Sequence, residues 1–327
     1  MKRTALLICA IMLLVLIPGI VTAQVKPGAG MYFRLCTHGG DDPFWAVVTK
    51  GMQDAATELG CKADIDLVGG DVSALQKAFL TAVASKPDGI ALVINDDNAY
   101  DKPVADAIAK GINVIGINND DSKGAAGNSR LSYIGQNEVN AGYSIALRMF
   151  QVAKAKGINL STATVALAVE VPGANYGKVR TQGIQKAMDE FGITSKPDII
   201  DAGGLEMTTV EQRITSYLVG HPKLTFIIGL GGICTDRLTA SLKNANKKAG
   251  EILAGGFDTA PGAIEGMKSG YLEASIDQQQ YLQGYMAVYT LYLMKRYSFA
   301  PNIDTGGYLV DKKNLATIQT LSAAHIR

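Results

Sequence analysis

Histidine, cysteine and tryptophan are scarce in this chain, at three, four and one among 327 residues. His38, His221 and His325 lack the paired spacing of a metal site, and the last two read as surface residues. Neither a metal nor a cofactor is therefore expected. Charge of one sign is missing too, with 31 Lys and Arg against 30 Asp and Glu. Without a basic block, nucleic acid is not expected as a partner. Ala5 to Ile17 is an apolar run of thirteen residues, short of the ~20 that a membrane span needs. It follows Met1-Lys2-Arg3, ends at Pro18-Gly19 and precedes the small-x-small pattern Val21-Thr22-Ala23. Residues 1–23 are expected to be a signal peptide cleaved after Ala23. Cys9 lies inside the run, not at the cleavage point, which argues against a lipoprotein.

Loss of that leader removes Lys2 and Arg3 and takes the formal net charge from +1 to about −1. It leaves Cys36, Cys61 and Cys234. Cys36 falls near the end of the first expected strand and Cys61 at the start of the second. In neighbouring parallel strands those ends lie about five residues apart, or ~16 Å. A disulfide tolerates at most ~7 Å between Cα atoms, so free, mostly buried thiols are expected.

What is present is a helix written twice. Gly51-Met52-Gln53-Asp54-Ala55-Ala56-Thr57-Glu58-Leu59-Gly60 returns as Gly183-Ile184-Gln185-Lys186-Ala187-Met188-Asp189-Glu190-Phe191-Gly192, with five identities. A Gly-Gly turn, an amphipathic stretch, a proline and an apolar strand follow each copy: Gly69-Gly70 to Ile94, and Gly203-Gly204 to Ile228. The offset is 132 residues at the helix and 135 at the proline. Two similar units imply two similar lobes, and a cleft between lobes is a common place for a small ligand.

Strands alternate with helices along both units. Strands are expected at Tyr32 to Cys36, Asp64 to Val68, Gly89 to Ile94 and Asn113 to Ile117, and again at Thr164 to Val169, Asp198 to Asp201, Thr225 to Gly229 and Ile252 to Phe257. This predicts an α/β fold of two doubly wound parallel-sheet lobes. Ligands of such sheets sit beyond the carboxyl ends of the strands.

Those ends are polar. They read Thr37-His38-Gly39-Gly40-Asp41-Asp42-Pro43-Phe44-Trp45, Asn95-Asp96-Asp97-Asn98 and Asn118-Asn119-Asp120-Asp121 in the first unit. In the second they read Glu170 to Tyr176, with Asn175 among them, then Gly229 to Gly232, then Gly256-Phe257-Asp258. Carboxylates and amides suit adjacent hydroxyls, and Trp45 with Phe44 suits an apolar sugar face. Asn, Asp and Gly also favour turns regardless of function. The coincidence at five or six strand ends favours the ligand role.

Asp42-Pro43-Phe44-Trp45, Asn95, Gly51 and Gly183, Arg180, Gly255-Gly256-Phe257-Asp258 and Ser275-Ile276-Asp277-Gln278, in this order, resemble the ribose-binding type I periplasmic binding proteins. The likeness covers nearly all of residues 31 to 315. It implies two lobes joined by three hinge crossings, near Gly135 to Asn137, Gln278 to Gln280 and Gly307 to Leu309. The lobes would be residues 31–136 with 279–307, and 137–278 with 308–327. It further implies a periplasmic binder of a monosaccharide or polyol, whose partner is the membrane permease of an ABC importer, with a chemoreceptor as another. Hydroxyl contacts would come from Asp42, Asn95, Arg180, Asp258 and Gln278, and ring packing from Phe44 and Trp45. Arg180 would offer a fork of donors to two ring oxygens.

Four positions depart from that family. Asn118-Asn119 stands where a ribose binder has Asp-Arg, and Gly231-Gly232 where an asparagine follows the strand. No phenylalanine stands at the second-lobe stacking position near Leu205 or Glu206, and His38 replaces a small hydroxyl residue. A different pentose, a hexose, a cyclic polyol or an open-chain polyol fits as well. Enzyme readings are weaker. Gly229-Leu230-Gly231-Gly232 lacks the last glycine of a dinucleotide turn, and Gly173 to Val179 lacks the Ser or Thr of a phosphate loop. Asn118 to Gly124 resembles a calcium loop without its glutamate. Asp42 with Asp258 as a glycosidase pair, a chemoreceptor sensor, and a nucleoside or autoinducer binder remain alternatives.

Overall fold

The computed structural model describes residues 25–40, 43–69 and 71–327. The expected signal peptide, Asp42 and Gly70 lie outside these residues. The first unit runs β1 (Tyr32–Thr37), α1 (Pro43–Leu59), β2 (Lys62–Leu67), α2 (Val72–Ala84), β3 (Gly89–Leu92), α3 (Asp101–Ala109), β4 (Asn113–Asn118) and β5 (Tyr133–Gly135). The second runs α4 (Glu138–Ala155), β6 (Val165–Val169), α5 (Asn175–Glu190), β7 (Asp198–Asp201), α6 (Met207–Gly220), β8 (Phe226–Gly229), α7 (Gly232–Asn244), β9 (Leu253–Phe257), α8 (Pro261–Ser269) and β10 (Leu272–Asp277). The chain ends with α9 (Gln280–Tyr297), β11 (Ile303–Asp304), β12 (Tyr308–Val310) and α10 (Leu315–Ala323).

Two six-stranded sheets result, ordered β11-β5-β4-β3-β1-β2 and β12-β10-β9-β8-β6-β7. The orders are equivalent strand for strand, as the repeat predicts. Pairing is parallel throughout except for β12, which runs antiparallel to β10 from Tyr308. Central strands β3, β6, β8 and β9 are buried along their whole length. Apolar side chains can occupy both faces because helices cover both. In the second lobe one core lies under α4 and α5, around Phe150, Ile184 and Phe257, and another under α6, α7 and α8, around Ile214, Leu238 and Met267.

The written-twice helix is explained by what its glycine touches. A Cβ on Gly51 would lie 2.1 Å from the Tyr281 carbonyl oxygen of α9, and one on Gly284 would lie 2.0 Å from that of Val48. In the second lobe, Gly183 meets the Val139 oxygen of α4 at 1.9 Å, and Gly142 meets that of Arg180 at 2.1 Å. The two helix pairs, α1 with α9 and α4 with α5, therefore cross through the same four-residue contact. Only glycine lets backbones approach this closely.

The chain passes between sheets three times: at residues 136–137 after β5, at 278–279 after β10, and at 305–307 between β11 and β12. Thus α9 and β11 return to the first sheet. Cys36 pairs in register with Asp66 while Cys61 precedes the paired Lys62, and all three described cysteines are free. No helix among the described residues is long and apolar enough to cross a membrane.

Candidate functional site

Parallel pairing puts His38, Asn95 and Asn118 at the neighbouring ends of β1, β3 and β4. It puts Glu170, Leu230, Asp258 and Gln278 at the ends of β6, β8, β9 and β10. The two edges face each other, because bonds join them. Asn175 Nδ2, at the start of α5, donates to Asp97 Oδ1 across the lobes at 2.7 Å.

Asn118 and Asp258 occupy equivalent places, one at the last residue of β4 and the other just after β9. Both are left-handed, at φ +63° and +70°. Asn and Asp are among the few side chains that tolerate this region. Each has its carbonyl held by a hydroxyl from the next strand: Tyr133 Oη donates to Asn118 O at 2.5 Å, and Ser275 Oγ to Asp258 O at 2.6 Å. An amide chain connects the two. Asn118 Nδ2 donates to Gln283 Oε1 (3.2 Å), Gln283 Nε2 to the Gln278 carbonyl (3.2 Å), and Gln278 Nε2 to Asp258 Oδ1 (2.8 Å).

Asp258 is 8% exposed. Burial raises its pKa to about 7, although Arg180 and the Gln278 bond pull the other way. The two glycines at 231 and 232 have a steric reason. A Cβ on Gly232 would lie 2.6 Å from Asp258 Oδ2, and one on Gly231 would lie 2.4 Å from Glu170 Oε2. Glu170 itself serves the protein, accepting from Cys234 N in the first turn of α7 and from Tyr176 Oη. That turn starts at Gly232.

Arg180 does not present a fork to the cleft. Its Nε donates to Glu138 Oε2 at 2.5 Å, Nη2 to Glu138 Oε1 at 3.1 Å and Gln136 Oε1 at 3.4 Å, and Nη1 to the Leu230 carbonyl at 2.5 Å. A guanidinium has five N–H groups, so at most one remains for a ligand. The expectation of two bonds to ring oxygens is corrected accordingly. The cation stacks 3.9 Å from the Phe257 ring centroid. Burial works against its charge, and Glu138 more than offsets this, holding its pKa above the ordinary value.

The carboxylate–guanidinium pair absent at Asn118-Asn119 is supplied by Asp120 and Arg130. Arg130 Nε donates to Asp120 Oδ1 at 2.6 Å, and Nη2 bonds Oδ2. Both line a cavity of about 380 Å³ between the lobes, with Asn119, Gln136, Glu138 and Asn175. Sequence spacing hid the pair, because ten residues and a 3₁₀ turn at Gly124–Ala126 separate its members.

The remaining expected residues are placed less uniformly. Trp45 is 4% exposed and belongs to the core of the first lobe, with Phe33, Leu35 and Ile90; Phe44 is half-buried beside it, ring centroids 5.2 Å apart. His38 meets Trp45 edge-on at 5.3 Å, and no described residue bonds its buried Nδ1. Asn95 Oδ1 accepts from Tyr100 Oη at 2.9 Å. Asn119 is buried, and its carbonyl accepts from Ile94 N. Leu205 is exposed and Glu206 caps α6 through Thr208 N and Thr209 N.

The sequence pattern of a family described as periplasmic binding protein domain matches residues 33–296. The xylose/arabinose-binding protein XylF of Sulfolobus acidocaldarius is 28% identical over 316 residues, covering 91% of this chain and 75% of that protein. A periplasmic sugar binding protein of an ABC sugar transporter from Legionella pneumophila superposes with a TM-score of 0.74 at 27% identity, over 84% of this chain and 99% of that one. A carbohydrate transporter protein from Acidothermus cellulolyticus 11B, solved with myo-inositol, gives 0.79 at 24% identity, over 91% and 99%. This last likeness is one of fold.

Proposed function

Because the chain belongs to the periplasmic binding protein family, we propose that it captures a monosaccharide or polyol between its lobes and delivers it to the permease of an ABC importer. The observation that carries this reading is the pair of left-handed polar residues, Asn118 and Asp258, held at matching strand ends of the two sheets and joined by an amide chain. The sugar-binding descriptions of the Sulfolobus and Legionella relatives support the substrate class. Hydroxyl contacts come from Asn95, Asn118, Asn119 and His38 with Asp42 on one side, and from Asn175, Asp258 and Gln278 on the other. Asp120 and Arg130 add a planar pair, and Phe44 packs on the ring with Trp45 behind it. Arg180 contributes no more than one N–H.

The lobes of the proposal are residues 31–136 with 279–307, and 137–278 with 308–327. Hinge motion at the three crossings closes them, ligand selecting the closed state. Export through a leader at residues 1–23 belongs to the same proposal. Thermal-shift screening of residues 24–327 against pentoses, hexoses, inositols and linear polyols tests it. A ligand at about 1,000 times its Kd adds ~4 kcal/mol and raises Tm by several degrees. Asp258→Ala is expected to abolish that shift while unfolding stays cooperative. Affinity retained within a few-fold would remove Asp258 from the site, and no shift with any sugar would defeat the sugar reading.

A further inference from the structure

The most telling side chain outside the expected site is Glu138. It is the first residue of α4, just past the first crossing, where the helix N-terminus favours a carboxylate. Its two oxygens take Nε and Nη2 of Arg180, a guanidinium only 3% exposed and backed by the Phe257 ring. The other cleft guanidinium, Arg130, is taken by Asp120 in the same two-toothed manner. Meanwhile two carboxylates that line the same cavity, Asp121 and Asp304, have no ion-pair partner among the described residues, nor has Asp97, which accepts from Asn175. Lys178, exposed on α5, acts on Asp97 only at longer range. The helix repeat sharpens the point. By the four-residue crossing, Arg180 and Glu138 correspond to Val48 and Gln280 in the first lobe, so the crossing itself does not require the ion pair.

We propose that Glu138 sets the charge class of the ligand: by neutralising Arg180 it makes the cleft accept neutral or amine-bearing sugars and reject sugar acids. This rests on the sugar-binding reading. An anionic sugar would meet carboxylates with no cation paired to them. To grip Arg180 with both its oxygens it would have to displace Glu138, leaving a buried carboxylate unpaired, which is strongly unfavourable. A neutral sugar needs no such exchange, and an ammonium group would find carboxylates waiting.

The test measures binding of matched pairs to the full chain by calorimetry: D-glucose with D-glucuronate, D-galactose with D-galacturonate, and D-arabinose with D-arabinonate, plus D-galactosamine. Wild-type protein is expected to prefer the neutral member of whichever pair binds by at least about a hundredfold. Glu138→Gln keeps the shape and one acceptor but unmasks the cation, and is expected to shrink that preference at least about tenfold. A merely structural role for Glu138 would weaken both members alike. Wild-type affinity for an acid within a few-fold of its neutral partner overturns the proposal, even if the variant does not fold. So does an unchanged preference in folded Glu138→Gln. If no neutral member binds, the sugar reading falls and this inference with it.

Discussion

At the scale of single residues, Asp258 carries the sharpest consequence. Burial raises its pKa from 3.8 to about 7. The folded chain therefore holds this proton where the unfolded chain has lost it. Stability from the protonated form is full below about pH 4 and is lost as pH rises through about 7. Three units correspond to an upper bound of ~4 kcal/mol. Asp258→Asn, neutral at every pH, is expected to be more stable than wild type at pH 8 and close to it at pH 4, by urea denaturation of ligand-free protein. A gap that does not widen with pH would show that the carboxyl is not a buried acid. His38, pushed down to about 4 by burial, works in the opposite sense between pH 6.5 and 4, and cancels from that comparison. The strand-end places of Asp258 and Gln278 were legible because a motif announces each. Arg130 was not, because nothing in the sequence says that a loop folds back ten residues to meet Asp120. Nor could the sequence say that Arg180 would be engaged, since its partner Glu138 lies on another helix.

Among the elements, α4 and α5 show most plainly why the repeat exists. Gly183→Ala would place a methyl 1.9 Å from the Val139 oxygen, and backbone cannot rotate out of the way. The expected loss is ~2–3 kcal/mol from overpacking, read as a lower urea midpoint with an unchanged slope. Retained stability would mean that the helices part at little cost. The sequence revealed the glycine but not its partner helices. The eight strands expected between Tyr32 and Phe257 were legible because each is a short apolar run between helical stretches. α9 was missed: its buried residues, among them Gln283, Gly284, Val288 and Tyr292, lie on more than one side, so no single face stands out. β5, β11 and β12 are two or three residues each, too short for periodicity to register.

At the scale of the whole molecule, side-chain amides tie the three crossings together. Gln136 Nε2 donates to Gly306 O at 3.0 Å, Gln279 Nε2 to Thr305 O, and Gln283 Nε2 to both Gln278 O and Thr305 Oγ1. Gln283→Leu would strand those acceptors and the Asn118 donor. An expected loss of ~2–4 kcal/mol follows from unpaired buried groups, measured by denaturation. A change below about 1 kcal/mol would mean that water or neighbours replace the amide. The same crossings fix when each lobe can be finished. A chain made from its N-terminus has β1 to β5 by Gly135, yet α1 keeps its glycine face uncovered until α9 is made, and β5 has no outer neighbour until β11. The second sheet waits in turn for β12. The first strand of one sheet begins at Tyr32 and that of the other at Val165, but their last strands end at Asp304 and Val310, within a few residues of each other. Neither sheet gains its last strand before Ile303, so two halves that look independent in the sheet order are closed at nearly the same point of the chain.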